Sequence, residues 1–328
     1  MKKINKIDYI YISLLILFIT GFILYLRYKG FLFGSNMDWI SQHVTIPEYF
    51  RLLFYESKEF IPQFSINLGL GQNIFNFTYY GLLSPYILIS YLLPFIKMID
   101  YIQIITILSV MASVILMYRW IYDKYDSKVA LLSTIIFMLS GPLLFHGHRH
   151  IMFVNYLPFL IGSLILIDMY FIKKKRILFI ISIFLLIMSS FYFSFPSIIV
   201  IGIYTIYKIL QDKKRLNIKN FKPLGKIIFY VIIGILLSGI ITIPTIYALY
   251  IGRSDTSVSI NLLNLFIPEL NYKLTFYYSY SLGLTFIYMV ALIYSFINKK
   301  RENIFLSIIL LLCMLIPGIS YTLNCFMY

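Results

Sequence analysis

Between residues 33 and 50 the chain reads FGSNMDWISQHVTIPEYF, and Asp38, Gln42 and His43 set a carboxylate, an amide and an imidazole within six positions. A carboxylate can take the proton from an attacking hydroxyl, an amide can hold sugar hydroxyls, and an imidazole can move a proton or meet a phosphate. Acids also complement the start of a helix, an effect of about 0.3–1 kcal/mol, so Asp38 has an electrostatic reason to stand there without catalysis. Further on, Asn67, Gln72, Asn73 and Asn76 supply amides and Tyr79 and Tyr80 supply flat amphipathic rings, with Gly69, Gly71 and Gly81 between them. Amides suit the hydroxyls of a carbohydrate and aromatic rings suit its faces. Phosphate chemistry needs cations, and Arg51, Arg149 and Arg253 are the preferred candidates, with Lys58 and Lys97 behind them. His146, His148 and His150 alternate around Arg149. Imidazole is a common zinc or copper ligand, which leaves a divalent metal open, but no carboxylate adjoins the tract and interfacial or phosphate contact is the favoured reading.

These groups belong to a chain that is 60% hydrophobic and 12% charged over 328 residues. With a mean hydropathy of +0.86, that composition excludes a soluble domain and makes this a polytopic, all-α membrane protein. The net charge of +15 does not point to nucleic acid, because the basic residues gather in short connectors such as KKKR at 173–176 and NKKRE at 298–302. Cytoplasmic loops have that appearance under the positive-inside rule. Cys313 and Cys325 are too few for a disulfide framework or a metal cluster.

Nine spans are expected, at about 8–26, 101–119, 129–146, 151–171, 177–192, 194–210, 227–248, 279–297 and 304–322. The apolar run from 177 to 210 is too long for one crossing and is expected to turn within SFYFSFPS, where Pro196 interrupts the ladder. Residues 82–96 are short and bracketed by prolines. If they crossed, most basic connectors would fall outside, so they are placed at the outer interface. The organisation is then a cytoplasmic N-terminus and first span over 1–26, a large outer segment over 27–100, and a helical bundle over 101–328. Within the outer segment, Asp38, Gln42, Thr45 and Glu48 share one helical face and Trp39, Ile46, Phe50 and Leu53 another, which predicts an amphipathic helix over 37–54. Asp168 is expected to pair with the adjoining KKKR.

The segments NMDWISQ, LGLGQN and YYGLLSPY, followed by LSGPLLFHGHRHIMFVNYLPFLIG at 139–162, FYFSFPSIIVIGIY at 191–204, SGIITIPTIYAL at 238–249 and PGISYTLNCFMY, resemble the bacterial YfhO family. The resemblance covers most of the chain and is most specific in the opening loop; the family pattern is longer than this sequence, which resembles its N-terminal part. It implies a GT-C-type glycosyltransferase fold, and transfer of one sugar from a polyprenyl-phosphate carrier to an extracytoplasmic cell-envelope acceptor such as a teichoic-type polymer of Gram-positive bacteria. It also implies an essential acid in the first outer loop, where Asp38 is the matching position. Under that reading Asp38 is the general base, Gln42, His43, Asn73 and Tyr80 position sugar or acceptor, and Arg51, Arg149 and Arg253 hold phosphate. No cofactor is required beyond the open question of a divalent metal. The implied partners are the lipid-linked donor, the glycopolymer, membrane lipids and an enzyme that loads the carrier, with the protein multi-pass in the plasma membrane. A transporter or flippase, or a non-catalytic assembly protein, would share the hydropathy; a transporter should add charged residues within spans or paired broken helices.

Overall fold

The fold was analysed in a computed structural model. It describes residues 2–30, 39–59, 64–67, 71–73, 75, 77, 81–140, 143–144, 153–173, 175–212, 221–251, 266–267, 286–316 and 318–319. Twelve α-helices are built from them: α1 Lys6–Tyr28, α2 Thr45–Ser57, α3 Pro85–Ser90, α4 Met98–Tyr122, α5 Ser127–Met138, α6 Leu157–Lys173, α7 Arg176–Ser189, α8 Phe191–Asp212, α9 Lys222–Leu237, α10 Gly239–Ile251, α11 Phe286–Ile297 and α12 Arg301–Leu315. A π-helix, Trp39–Val44, runs into α2, and two short strands, β1 Phe64–Ser65 and β2 Gln72–Asn73, pair antiparallel.

Among the described residues three helices, α1, α4 and α8, are long and apolar enough to cross a membrane, and α9 with α10 makes a fourth if that bent pair is one span. Nine crossings are not found among the described residues, and several of the expected spans, 279–297 among them, lie partly outside those residues. α5, α6 and α7 are apolar but shorter, α5 having 12 residues, about 18 Å at 1.5 Å per residue against a hydrocarbon core of about 30 Å. Residues 82–96 yield only the six-residue α3, about 9 Å long and unable to cross. Ser84 starts it, its hydroxyl accepting from the Ile87 amide at 3.3 Å with Pro85 in the first turn.

The turn expected within SFYFSFPS is present at its first residue rather than at its proline, and the span expected over 227–248 is bent. The turn between α7 and α8 falls on Ser190, whose backbone is extended at φ −159°, while Pro196 lies inside α8. A proline that close to a helix start removes one ladder bond without ending the helix. The expected span over 227–248 instead bends by 77° between α9 and α10. The Ser238 hydroxyl donates back to the Ile235 carbonyl at 2.8 Å, Gly239 follows, and Ile241 then packs against Leu83 and Met188. Two glycine or serine positions at a kink and an apolar seat beyond it account for the bend.

The main core joins α6, α7, α8 and α9 through Leu164, Ile167, Phe179, Ile183, Ile201 and Ile227. Close approach is allowed by small residues, as expected where lipid tails compete with every apolar contact. Ser163 and Ser182 hydroxyls meet at 2.7 Å between α6 and α7, and a Cβ on Gly234 would come 2.5 Å from Ile183 Cγ2. A second cluster joins α1, α4 and α5 through Leu15, Ile19, Val114, Tyr118 and Ala130.

Polar contacts fix which helix ends lie together. The Lys2 amide donates to Asp123 Oδ1 at 2.8 Å, Tyr122 donates to the Lys3 carbonyl at 2.9 Å, and Tyr118 donates to Asp8 at 2.6 Å. The start of α1 thus meets the end of α4. Asp168 on α6 accepts from Trp120 Nε1 at 2.8 Å and from Tyr204 at 2.7 Å, and pairs with Lys124 at 3.0 Å and Lys208 at 3.4 Å. Among the described residues its partners are thus on α4, α8 and the α4–α5 connector, while Lys174 and the Lys173 side chain of KKKR lie outside them. One end of the bundle is consequently rich in lysine and arginine, and the described residues between 39 and 97 lie at the other.

Candidate functional site

The site is built on the cap formed by the π-helix, α2 and α3 over the start of α4. The expected helix over 37–54 is present from Trp39 to Ser57, but its first turn is π rather than α. Pro47 supplies the reason: it has no N–H for the His43 carbonyl, and its ring crowds that carbonyl, so the preceding backbone widens. The Thr45 hydroxyl donates to the Ile40 carbonyl five residues back, which is the π spacing. Trp39 and His43, 1% and 5% exposed, both turn inward. Trp39 is seated among Ile87, Tyr91, Met98, Tyr101 and Ile102, so the residue that follows Asp38 is clamped between α3 and α4. Gln42 is half-buried beside them.

Arg51, expected at a phosphate, sits in a buried pair. It is 3% exposed, donates to Glu48 at 2.7 Å, and reaches the Leu93 carbonyl at 3.4 Å. Glu48, expected as a solvated charge, is its partner, with 35% of its side chain exposed. Tyr55 donates to the Tyr91 carbonyl and Tyr101 to the Tyr86 carbonyl, so α2 and α4 are both tied to the α3 region. Burial pushes the Tyr91 phenol up to about 12, against the opposing pull of Arg51.

Asn73 is exposed on β2, opposite Phe64. Its Oδ1 accepts from the Phe75 amide at 2.9 Å, an Asx turn that fixes the amide's direction. Ser65 on β1 shares a hydrogen bond with Tyr49 of α2, which joins the hairpin to the same cap. Gly71 has φ +101°, and a Cβ there would come 2.8 Å from the Phe64 ring, so the turn into β2 requires glycine. Gln42, His43, Arg51 and Asn73 therefore belong to one cap. Asp38, Tyr80, Arg149, Arg253 and the histidines His146, His148 and His150 lie outside the described residues. Among the described residues no cluster of three or more His, Cys, Asp or Glu could hold a metal.

The pattern of charges hid two features. Glu48 and Arg51 stand three apart, a spacing that signals a helical pair, yet nothing in it says that the arginine is buried. Trp39 was legible as an apolar-face residue, but its role as the clamp beside Asp38 depends on Ile87 and Ile102, far along the chain.

The family described as bacterial membrane protein YfhO matches residues 9–327. The chain belongs to that family, and with its long apolar helices it is a membrane protein. No curated protein and no solved structure matches it.

Proposed function

We propose that this protein is a GT-C-type glycosyltransferase of the outer membrane face, which moves a sugar from a polyprenyl-phosphate carrier to a cell-envelope glycopolymer such as a teichoic-type acceptor. The observation that carries this reading is the clamped Trp39, 1% exposed, at the end of the bundle opposite the basic helix ends. If the basic end is cytoplasmic, as lysine-rich connectors usually are, the residue before Trp39 belongs to the outer side, where a lipid-linked donor presents its phosphosugar. Asp38 then takes the acceptor hydroxyl's proton as that oxygen attacks the anomeric carbon, the bond to the phosphate oxygen breaks, and the configuration inverts. Gln42 and Asn73 of the cap, with Tyr80, hold sugar or acceptor in this reading. The buried His43 lies in the π-turn that leads into α2. Arg149 and Arg253 remain the phosphate contacts, while Arg51, through Glu48, braces the cap.

The test is transfer from a polyprenyl-phosphate sugar by purified protein. Asp38→Asn should lower kcat about 10²–10⁴-fold, the usual contribution of a general base, with membrane insertion intact. Direct use of a nucleotide sugar with no use of the lipid-linked one would overturn the proposal, as would labelling of position 38 from the cytosol. The bent α9–α10 pair is a feature shared with transporters; that second reading requires sugar-lipid movement across liposomes that Asp38→Asn leaves unchanged.

A further inference from the structure

We infer that Asn155 is a sugar-contacting residue whose amide carbonyl accepts a hydrogen bond from a carbohydrate hydroxyl of the substrate; this rests on the glycosyl-transfer reading above. Asn155 lies in the turn that leads into α6 and is 2% exposed. Its Oδ1 has no hydrogen-bond partner. Buried polar atoms are nearly always paired, and an orphan costs about 1–3 kcal/mol.

Among the described residues no donor reaches this acceptor. The turn packs on the first turns of α8: the Phe153 and Phe193 rings are 4.9 Å apart edge to face, and Tyr156 stacks on Phe193 at 5.0 Å. Three hydroxyls of that region already donate to backbone carbonyls of their own helices, Ser189 to Leu185 at 2.7 Å, Ser194 to Phe191 at 2.6 Å and Ser197 to Phe193 at 2.5 Å, and the Ser190 hydroxyl accepts from the Phe193 amide at 3.4 Å. A bound molecule can supply the missing donor.

The chemistry of the position narrows the class of that molecule. A carbonyl oxygen accepts and does not donate, so it suits a hydroxyl or an N–H and not a phosphate oxyanion. Phe153 and Tyr156, two residues before and one after Asn155, are half-buried, which sets an amide acceptor in a turn that also carries aromatic rings, amphipathic partners for a sugar face. The turn is also on the Trp39 side of the bundle. Phe159, on the first turn of α6, is 5.8 Å from the Tyr86 ring of α3, and the neighbouring Ile87 shares the cluster that seats Trp39.

The experiment measures thermal unfolding of the purified full chain and of Asn155→Ala and Asn155→Asp, with two kinds of added lipid. One is a panel of polyprenyl-phosphate hexoses carrying glucose, galactose, mannose or N-acetylglucosamine; the other is polyprenyl phosphate without sugar. For the hexose lipid that stabilises the wild type, Asn155→Ala should bind about tenfold more weakly, one hydrogen bond's worth. It should bind the sugarless lipid as the wild type does and, free of ligand, melt no lower than the wild type. Asn155→Asp keeps the acceptor and should retain most of the affinity. Equal binding of the hexose lipid by Asn155→Ala and wild type overturns the inference while leaving glycosyl transfer standing, and so does an equal loss of both lipids with a lowered melting point. If no hexose lipid shifts the wild type at all, the glycosyl-transfer reading fails, and this inference with it.

Discussion

Replacing Glu48 by Gln tests whether Arg51 braces the cap or faces a substrate phosphate. The guanidinium is 3% exposed, with one short contact to Glu48 at 2.7 Å and one long contact to the Leu93 carbonyl at 3.4 Å. Removing one partner of a fully buried pair costs about 3–5 kcal/mol. Here the carboxylate is 35% exposed, so water screens the pair and the expected cost falls to about 1–3 kcal/mol. Arg51→Met keeps the apolar stem and removes the charge. Glu48→Gln and Arg51→Met should each destabilise, and the double variant should be less destabilised than the sum, with a coupling of about 1–2 kcal/mol. Denaturant or thermal unfolding in detergent, read on all four proteins of the cycle, measures it. Additivity within about 0.3–0.5 kcal/mol would refute the brace. So would loss of sugarless polyprenyl-phosphate binding in Arg51→Met but not in Glu48→Gln, because Arg51 would then be answering to phosphate.

Pro47→Ala should restore a donor for the His43 carbonyl and let the π-turn relax to α, lowering transfer by kcat with little change in melting temperature; unchanged kcat would separate the π-turn from function. Gly234→Val should destabilise by about 1–3 kcal/mol in detergent unfolding, since its Cβ would meet Ile183 Cγ2 at 2.5 Å. Burial raises the Tyr91 phenol to about 12 from the ordinary 10.0, so its stabilising contribution is complete below pH 10 and is lost as pH rises towards 12. The difference in phenolate absorbance between wild type and Tyr91→Phe should therefore titrate near 12, and a midpoint near 10 would contradict the burial. Asp168→Asn leaves Lys124 and Lys208 facing each other and should lower the melting temperature more at low salt than at high salt.

Hydropathy and charge, summed along the chain, were enough to identify a helical membrane protein, keep residues 82–96 from crossing and find the amphipathic segment beside Asp38, because these are properties of neighbours in sequence. NMDWISQ and the segments after it were enough to point to the family that matches residues 9–327. Only the folded chain decided that α9 and α10 part at Ser238, since the bend depends on a seat for Ile241 made by Leu83 and Met188. It likewise decided that Asp168 answers to Lys124 and Lys208 and that Arg51 is buried. A side chain's partner is chosen by what lies across the bundle at its own depth, and sequence spacing carries no record of that distance.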